Sequence, residues 1–320
     1  MLKLIVLAAC AAFATTTAHA QGFPNKPVRI VVAQSPGSTE DAVARLLCNE
    51  LGATAWKDGC VVENRPGAAG FIGAQAVAKS APDGYTLFMG SAGIMAVNPH
   101  LYKTIPYDAV KDFEPISLVG SYPYVLVAGP KLGASSFAEF NQLAKKASRL
   151  TYATYGPGSL TNIAPQLLKS MAGIPLEAVA YKGSGDALPN VSSGEVDVMF
   201  EAPAAVEGFV KGGRLRALAV TSTSRLDSLP QVPTFAEVGH KGLDVTQWSA
   251  LFAPAGTPPA VLSKLAQDVG RALQVPDLRE RMSKTGIQPT TVPAAQTKAF
   301  HRAQYDRFGK VIKDLNIRIE

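Results

Sequence analysis

Catalytic motifs are missing from this sequence. It contains four histidines, and none of them stands beside a loop that carries a candidate nucleophile. The patterns Gly-x-Ser-x-Gly, Ser-x-x-Lys and His-Glu-x-x-His do not occur, which leaves no signature of a serine hydrolase, a penicillin-binding enzyme or a zinc protease. A hydrolase needs a nucleophile with a base within reach. We therefore expect a protein that is not an enzyme and that holds no metal and no cofactor.

Concentrated positive charge is also missing. The chain has 31 lysines and arginines against 25 acidic residues, a formal charge of +6. The basic residues do not form clusters, and a nucleic-acid-binding surface normally requires such clusters. No nucleic-acid partner is expected.

Long apolar runs are missing, and the longest candidate lies at the N-terminus. Residues 4–13 are apolar but too few to span a bilayer permanently. Ala18-His19-Ala20 follows as a small-x-small cleavage signal, which is typical of a secretory leader. We expect residues 1–20 to be a signal peptide that is cleaved when the chain crosses the inner membrane.

Cysteine is scarce, with three in the whole chain and no Cys-x-x-Cys pair. Cys10 lies in the expected leader, so Cys48 and Cys60 remain in the exported protein. An even number of cysteines in an exported chain favours a disulfide between them. Two buried thiols are the alternative.

What the sequence does contain is a regular alternation of short β-branched runs and helical patterns. This alternation predicts an α/β fold with doubly wound parallel sheets. About 300 residues exceed one compact core, which predicts two domains. Residues 120–123 and 221–225 are candidate crossovers between them. The predicted boundaries are 21–121 plus 223–320 for domain 1 and 122–222 for domain 2.

One motif occurs twice. Residues 28–32 form a strand pattern, residues 34–39 a small-residue loop, and a helical pattern then runs to Leu51 with Gly52 as its expected stop. The same order returns at residues 150–154, 155–159 and 160–172. A loop that leads into a helix N-terminus presents unpaired backbone N–H groups and a positive dipole end, which suit a carboxylate or a phosphate. Two such sites are expected to face each other across a cleft.

Six ordered segments of the chain are distinctive: VVENRPG at 61–67, APDGYTL at 81–87, YDAVKDF at 107–113, YKG at 181–183, LRALAVT at 215–221 and APAGTPP at 253–259. They resemble the Bug family, the extracytoplasmic solute receptors of tripartite tricarboxylate transporters, and the resemblance covers the mature chain. It implies a type II-like periplasmic-binding-protein fold, in which two α/β domains joined by two crossing segments close over a small carboxylate. It further implies a periplasmic monomer that delivers its ligand to membrane permease subunits.

The resemblance and the loop positions together predict a ligand site. Its candidate residues are Gln34, Ser38, Thr39, Ser91, Ala92, Thr154, Ser159, Thr161, Glu201 and Trp248. The serines and threonines could instead serve as helix caps, and packing in the core is at least as good an interpretation of Trp248 as contact with the ligand. The alternative to a transport receptor is a receptor that signals to a partner protein, and it would use the same residues. A periplasmic hydrolase is a weaker alternative.

The sequence departs from the family pattern at three places. In the first loop Ser38, Thr39 and Glu40 precede Asp41, where relatives tend to have several glycines followed by Thr-Asp. Asn162 stands where many relatives have histidine, and Glu201-Ala202 stands where many have Asp-Asn. A carboxylate at the rim repels a plain dicarboxylate and suits a ligand that also carries a cation, because a desolvated charge needs a partner. Alternatively, the side chains of Glu40 and Glu201 turn to solvent or favour their local helix ends.

Overall fold

The computed structural model describes residues 22–290, 292–317 and 319. The predicted leader and its cleavage site lie outside these residues. None of the helices in the described range combines the length and the hydropathy that a membrane span requires.

Strands and helices alternate along most of the described chain. The strands are β1 Val28–Val32, β2 Cys60–Asn64, β3 Thr86–Ser91, β4 Phe113–Pro123, β5 Val125–Ala128, β6 Leu150–Thr154, β7 Leu176–Ala180, β8 Val198–Glu201, β9 Arg216–Val220, β10 Thr246–Pro254 and β11 Gln288–Pro289. The helices are α1 Thr39–Thr54, α2 Phe71–Ala78, α3 Asn98–Leu101, α4 Phe137–Lys146, α5 Leu160–Ala172, α6 Ser184–Ser193, α7 Pro203–Lys211, α8 Pro259–Ala272, α9 Pro276–Lys284 and α10 Ala294–Asp314.

The strands form two separate sheets, and each sheet is the centre of one lobe. Lobe 1 has the strand order β11-β4-β10-β3-β1-β2, and lobe 2 has the order β7-β6-β8-β5-β9. The chain passes from lobe 1 to lobe 2 between β4 and β5 and returns between β9 and β10. The two α/β units and their two crossings confirm the predicted fold class. This division of the strands supports the predicted domain boundaries, which remain a prediction.

The sheets are mixed, so the expectation of purely parallel sheets was wrong in part. β1 pairs in parallel with β2 and β3, and β6 pairs in parallel with β7 and β8. β10 runs antiparallel to β3 and β4, and β5 runs antiparallel to β8 and β9. β5 and β10 enter their sheets from the other lobe without a crossover helix, and a parallel pair requires such a crossover.

The first crossing is shorter than the sequence suggested. The predicted crossover at residues 120–123 belongs to β4, which stays paired with β10 as far as Pro123 opposite Thr246. Only Tyr124 separates β4 from β5. β11 pairs with β4 only at Gly120 and Ser121, so one side of β4 is an open edge at Pro123, where a proline is tolerated.

The predicted end of the first helix was also wrong. α1 continues through Gly52 to Thr54. Gly52 is not among the glycines with positive φ, and a glycine ends a helix when it adopts the left-handed conformation. A disulfide joins Cys48 in α1 to Cys60 at the start of β2, so this helix end is fastened to the edge of the lobe 1 sheet.

Candidate ligand-binding site

The lobe 1 side of the site is the start of α1. Ser38 is the N-cap, and its Oγ accepts a hydrogen bond from the backbone N–H of Asp41 at 3.2 Å. The Asp41 carboxylate in turn accepts the backbone N–H of Gly37 at 2.9 Å. Glu40 and Asp41 both lie in the first turn of the helix, where negative charge offsets the positive end of the helix dipole. The anion-binding capacity of this helix start is therefore largely used by the protein's own carboxylates.

The lobe 2 side is the start of α5, and it is built from hydroxyl groups. The Oγ atoms of Ser159 and Thr161 are 2.8 Å apart, and Thr154 Oγ1 lies 3.3 Å from each of them. Thr161 Oγ1 also accepts the backbone N–H of Tyr155 at 3.0 Å. No acidic residue lies in the first turn of α5. Because the first N–H groups of a helix have no partner within it, this start remains suited to an anion.

The two lobes touch beside this hydroxyl cluster. A Cβ placed on Gly93 in lobe 1 would lie 3.1 Å from the carbonyl oxygen of Gly158 in lobe 2. A Cβ placed on Gly158 would lie only 2.3 Å from Asn98 Oδ1 in lobe 1. Asn98 is 2% exposed and donates its Nδ2 to the carbonyl oxygen of Ala69 at 3.0 Å. Closure of the lobes in this arrangement thus depends on the missing side chain of Gly158.

Two tyrosines mark the crossing between the lobes. The rings of Tyr122 and Tyr124 meet edge to face with centroids 5.5 Å apart. Tyr122 is opposite Gln247 in the β4–β10 ladder. Gln247 donates its Nε2 to Glu40 Oε1 at 3.0 Å. The tyrosine pair therefore connects the crossing directly to the start of α1.

Glu201 lies at the opposite end of the crossing. It ends β8 opposite Val125, one residue beyond Tyr124. Its Oε2 accepts the hydroxyls of Tyr155 and of Ser184, the latter at 3.0 Å. Its Oε1 accepts the backbone N–H of Ala202 at 2.6 Å. Glu201 therefore anchors both Tyr155 and the first residue of α6.

The electrostatics of the site are dominated by these two carboxylates. Burial raises the pKa of Glu40 above its usual 4.5, and hydrogen bonds from its backbone and from Gln247 oppose this shift. Burial likewise raises the pKa of Glu201, against the hydrogen bonds from Tyr155, Ala202 and Ser184. Desolvation, and then the charges of Glu201 and Glu40, raise the pKa of the Tyr124 hydroxyl. Both lobes thus place a buried carboxyl group close to the crossing.

The structure brings part of the predicted site together. Thr154, Ser159, Thr161 and Glu201 lie at the lobe 2 face, and Ser38 and Thr39 start α1 in lobe 1. Gln34 is half-buried just after β1, and its Oε1 has no hydrogen-bond partner. Ser91, at the end of β3 opposite Ser249, and Ala92 are both buried.

Trp248 lies outside this group. Adjacent residues of a strand point to opposite faces, and Gln247 already faces Glu40. Trp248 is fully buried and packs edge-on against Phe300, with ring centroids 5.5 Å apart, and His301. It is a core residue behind the site.

Sequence reasoning missed four residues of this site: Tyr122, Tyr124, Ser184 and Gln247. Two tyrosines flanking Pro123 at a predicted crossover were a usable signal. The contact between Gln247 and Glu40 joins residues 207 positions apart, and no local pattern reveals it. Within the described chain, no cluster of three or more histidine, cysteine or acidic side chains could hold a metal ion.

Two α/β lobes joined by two crossings define the class of type II periplasmic binding proteins. The chain belongs to the family described as "Tripartite tricarboxylate transporter family receptor", which matches residues 43–317.

The chain is similar to a protein of Bordetella pertussis and to two solved proteins. The protein BugT of Bordetella pertussis is 34% identical over 303 residues, which are 94% of this chain and 93% of BugT. A solved R. palustris protein with adipate is 31% identical, with a TM-score of 0.82 over 92% of this chain and 99% of that one. MatC from Rhodopseudomonas palustris, solved with bound malate, is 30% identical, with a TM-score of 0.79 over 91% of this chain and 100% of MatC.

Proposed function

We propose that this protein is a periplasmic receptor that captures a small carboxylate between its lobes and delivers it to the permease subunits of a tripartite tricarboxylate-type transporter. It acts as a monomer, carries no cofactor and performs no chemistry on its ligand. The proposed ligand-binding residues are Gln34, Ser38, Thr39, Ser91, Ala92, Thr154, Ser159, Thr161 and Glu201, joined by Tyr122, Tyr124, Ser184 and Gln247.

The observation that carries the proposal is the start of α5. Its first N–H groups and the hydroxyls of Thr154, Ser159 and Thr161 converge beside the contact between the lobes. This set offers hydrogen-bond donors and no competing carboxylate in the first helical turn. The similar proteins solved with adipate and malate support a carboxylate as the occupant.

Ligand capture and delivery follow from the two-lobe construction. A ligand that touches both lobes binds the closed arrangement more tightly than an open one, and it shifts the population by that difference in affinity alone. The closed form then presents a surface that spans both lobes. A permease that binds this surface would distinguish the ligand-bound receptor from the ligand-free one.

A thermal-shift screen tests the proposal. The protein is unfolded and refolded to remove any ligand acquired during expression, and it is then screened with mono-, di- and tricarboxylates, aromatic acids and amino acids. A ligand present at 100 times its Kd should raise the melting temperature by about 4 °C for a chain of this size. A screen in which no acid raises the melting temperature would refute the proposal.

Two further measurements connect the screen to the proposed site and to delivery. Thr161→Val removes one hydroxyl of the cluster and should lower the affinity for the tightest-binding acid at least tenfold in calorimetry. Thr104→Val, at an exposed threonine of lobe 1, should leave that affinity unchanged. Deleting the gene should lower uptake of the labelled acid by whole cells. Unchanged uptake would contradict delivery to a transporter.

A further inference from the structure

The two helix starts of the proposed site differ in charge. α5 begins with no acidic residue in its first turn, whereas α1 begins with Glu40 and Asp41. Asp41 also occupies the N–H of Gly37 and is paired with Arg45. A ligand carboxylate therefore finds donors at the lobe 2 helix and repulsion at the lobe 1 helix. The two helix starts therefore differ in polarity, since the α5 start offers donors and the α1 start carries carboxylates.

Glu40 has hydrogen-bond acceptor positions that the protein does not use. It is 8% exposed, and the side-chain hydrogen bond that it accepts comes from Gln247. Glu201 is 4% exposed, but three donors already use its oxygens. A carboxylate offers about four lone-pair positions. Glu40 can thus accept further donors, whereas Glu201 mainly adds negative charge nearby.

Both carboxyl groups lie near the two tyrosines of the crossing. Gln247, the partner of Glu40, is opposite Tyr122, and Glu201 is opposite Val125. Tyr122 and Val125 are three residues apart in extended chain, a span of about 10 Å. A single small ligand between the lobes is therefore exposed to both charges.

No cation of the described chain compensates these charges. Neither Glu40 nor Glu201 is paired with a lysine, arginine or histidine of that range. A buried carboxylate without a counter-ion is costly, and several elements of this protein pair their buried acids, as with Asp268 and Lys264. A cationic group of the ligand would supply the missing partner.

A second polar group without a partner lies on the same sheet face. Ser249 is fully buried, and its Oγ has no hydrogen-bond partner. It lies two residues after Gln247 in β10, so it shares the sheet face that Gln247 presents to Glu40. Buried hydroxyls normally have a partner. The Ser249 hydroxyl, which can donate and accept, is therefore available to a polar group of the ligand.

We propose that the ligand is an ammonium-bearing carboxylic acid, an amino acid or a close analogue, whose carboxylate lies at the α5 helix start and whose cationic nitrogen is bound by Glu40. Glu201 strengthens the negative field and holds Tyr155 and Ser184 in place. This inference rests on the proposed function and specifies its ligand class.

Matched pairs of acids test the inference on the refolded full-length mature protein. The probes are L-aspartate against succinate, L-glutamate against glutarate, and 4-aminobutyrate against butyrate, measured by calorimetry at one pH and ionic strength. At least one amino member should bind ten times or more tighter than its partner without the amino group. Glu40→Gln, which keeps the shape and the acceptor for Gln247, should reduce that preference at least tenfold.

Glu50→Gln is the matched control because Glu50 lies near the other end of the same helix. Its preference should equal that of the unsubstituted protein, and melting curves establish that each variant is folded. The inference is overturned if the plain acid of every pair binds as tightly as its amino partner, or if Glu40→Gln leaves the preference unchanged. Tight binding of succinate, glutarate or citrate alone would overturn this inference and leave the proposed function standing, whereas failure of every acid would overturn both.

Discussion

Replacing Gly158 by alanine should separate ligand binding from folding. The new Cβ would lie 2.3 Å from Asn98 Oδ1, which belongs to the other lobe. Asn98 cannot easily yield, because it is buried and its Nδ2 is bound to the carbonyl oxygen of Ala69. The clash exists only when the lobes are in contact, so it penalises the closed form and leaves each lobe intact.

The size of the effect follows from the cost of overpacking. An added methyl group in a well-packed interior costs about 1–3 kcal/mol. If that cost falls on the closed form alone, the ligand affinity drops by roughly 5- to 150-fold. The melting temperature of the ligand-free protein should stay constant or rise slightly, because Gly158 does not have a positive φ and alanine reduces the entropy of the unfolded chain.

Calorimetry with the tightest acid of the screen measures the affinity, and small-angle scattering measures the contraction on ligand addition. Gly185→Ala is the control, since a Cβ there meets no atom within 4 Å. Adding Asn98→Ala to Gly158→Ala removes the obstructing amide and should restore most of the affinity. Wild-type affinity in Gly158→Ala alone would show that the ligand-bound protein does not form this contact.

Two further predictions concern stability. Replacing Cys48 and Cys60 by alanine should lower the free energy of unfolding by about 3 kcal/mol, since the disulfide closes a loop of 12 residues, and it should lower the melting temperature by about 5 °C. A reductant should lower the melting temperature of the unsubstituted protein by the same amount and leave that of the variant unchanged, and an unchanged melting temperature in the variant would contradict the prediction. Burial raises the folded-state pKa of Glu40 above 4.5, so its cost to the stability of the ligand-free protein is absent below that pH, grows as the pH rises from 4.5 to the folded-state pKa and is constant above it. The melting temperature of Glu40→Gln relative to the unsubstituted protein should therefore rise as the pH increases above 4.5, and a constant difference from pH 4.5 upward would refute the reasoning.

Local patterns were sufficient for most of the fold. The β-branched run of β1, the Ser38 cap and the Gly173 stop each follow from the preferences of a few adjacent residues, and the structure has them in place. Gly52 misled the prediction, because the left-handed conformation that ends a helix depends on what packs around the residue and not on its identity alone.

The site was predicted in part for the same reason. The hydroxyls of Thr154, Ser159 and Thr161 come from one continuous loop and helix start, so their proximity is a local property. Gln247 reaches Glu40 from 207 residues away. Trp248 was selected for its aromatic ring, but the alternation of β10 turns it toward the core.

The sequence by itself determined the family, the two-lobe α/β architecture and the presence of two helix starts with small-residue loops, because these depend on short-range spacing and on whole phrases shared with relatives. Only the tertiary structure decided which helix start is free for an anion, which carboxylates are buried without a cation, and where the lobes touch. Those properties depend on desolvation and on contacts between residues far apart in the chain.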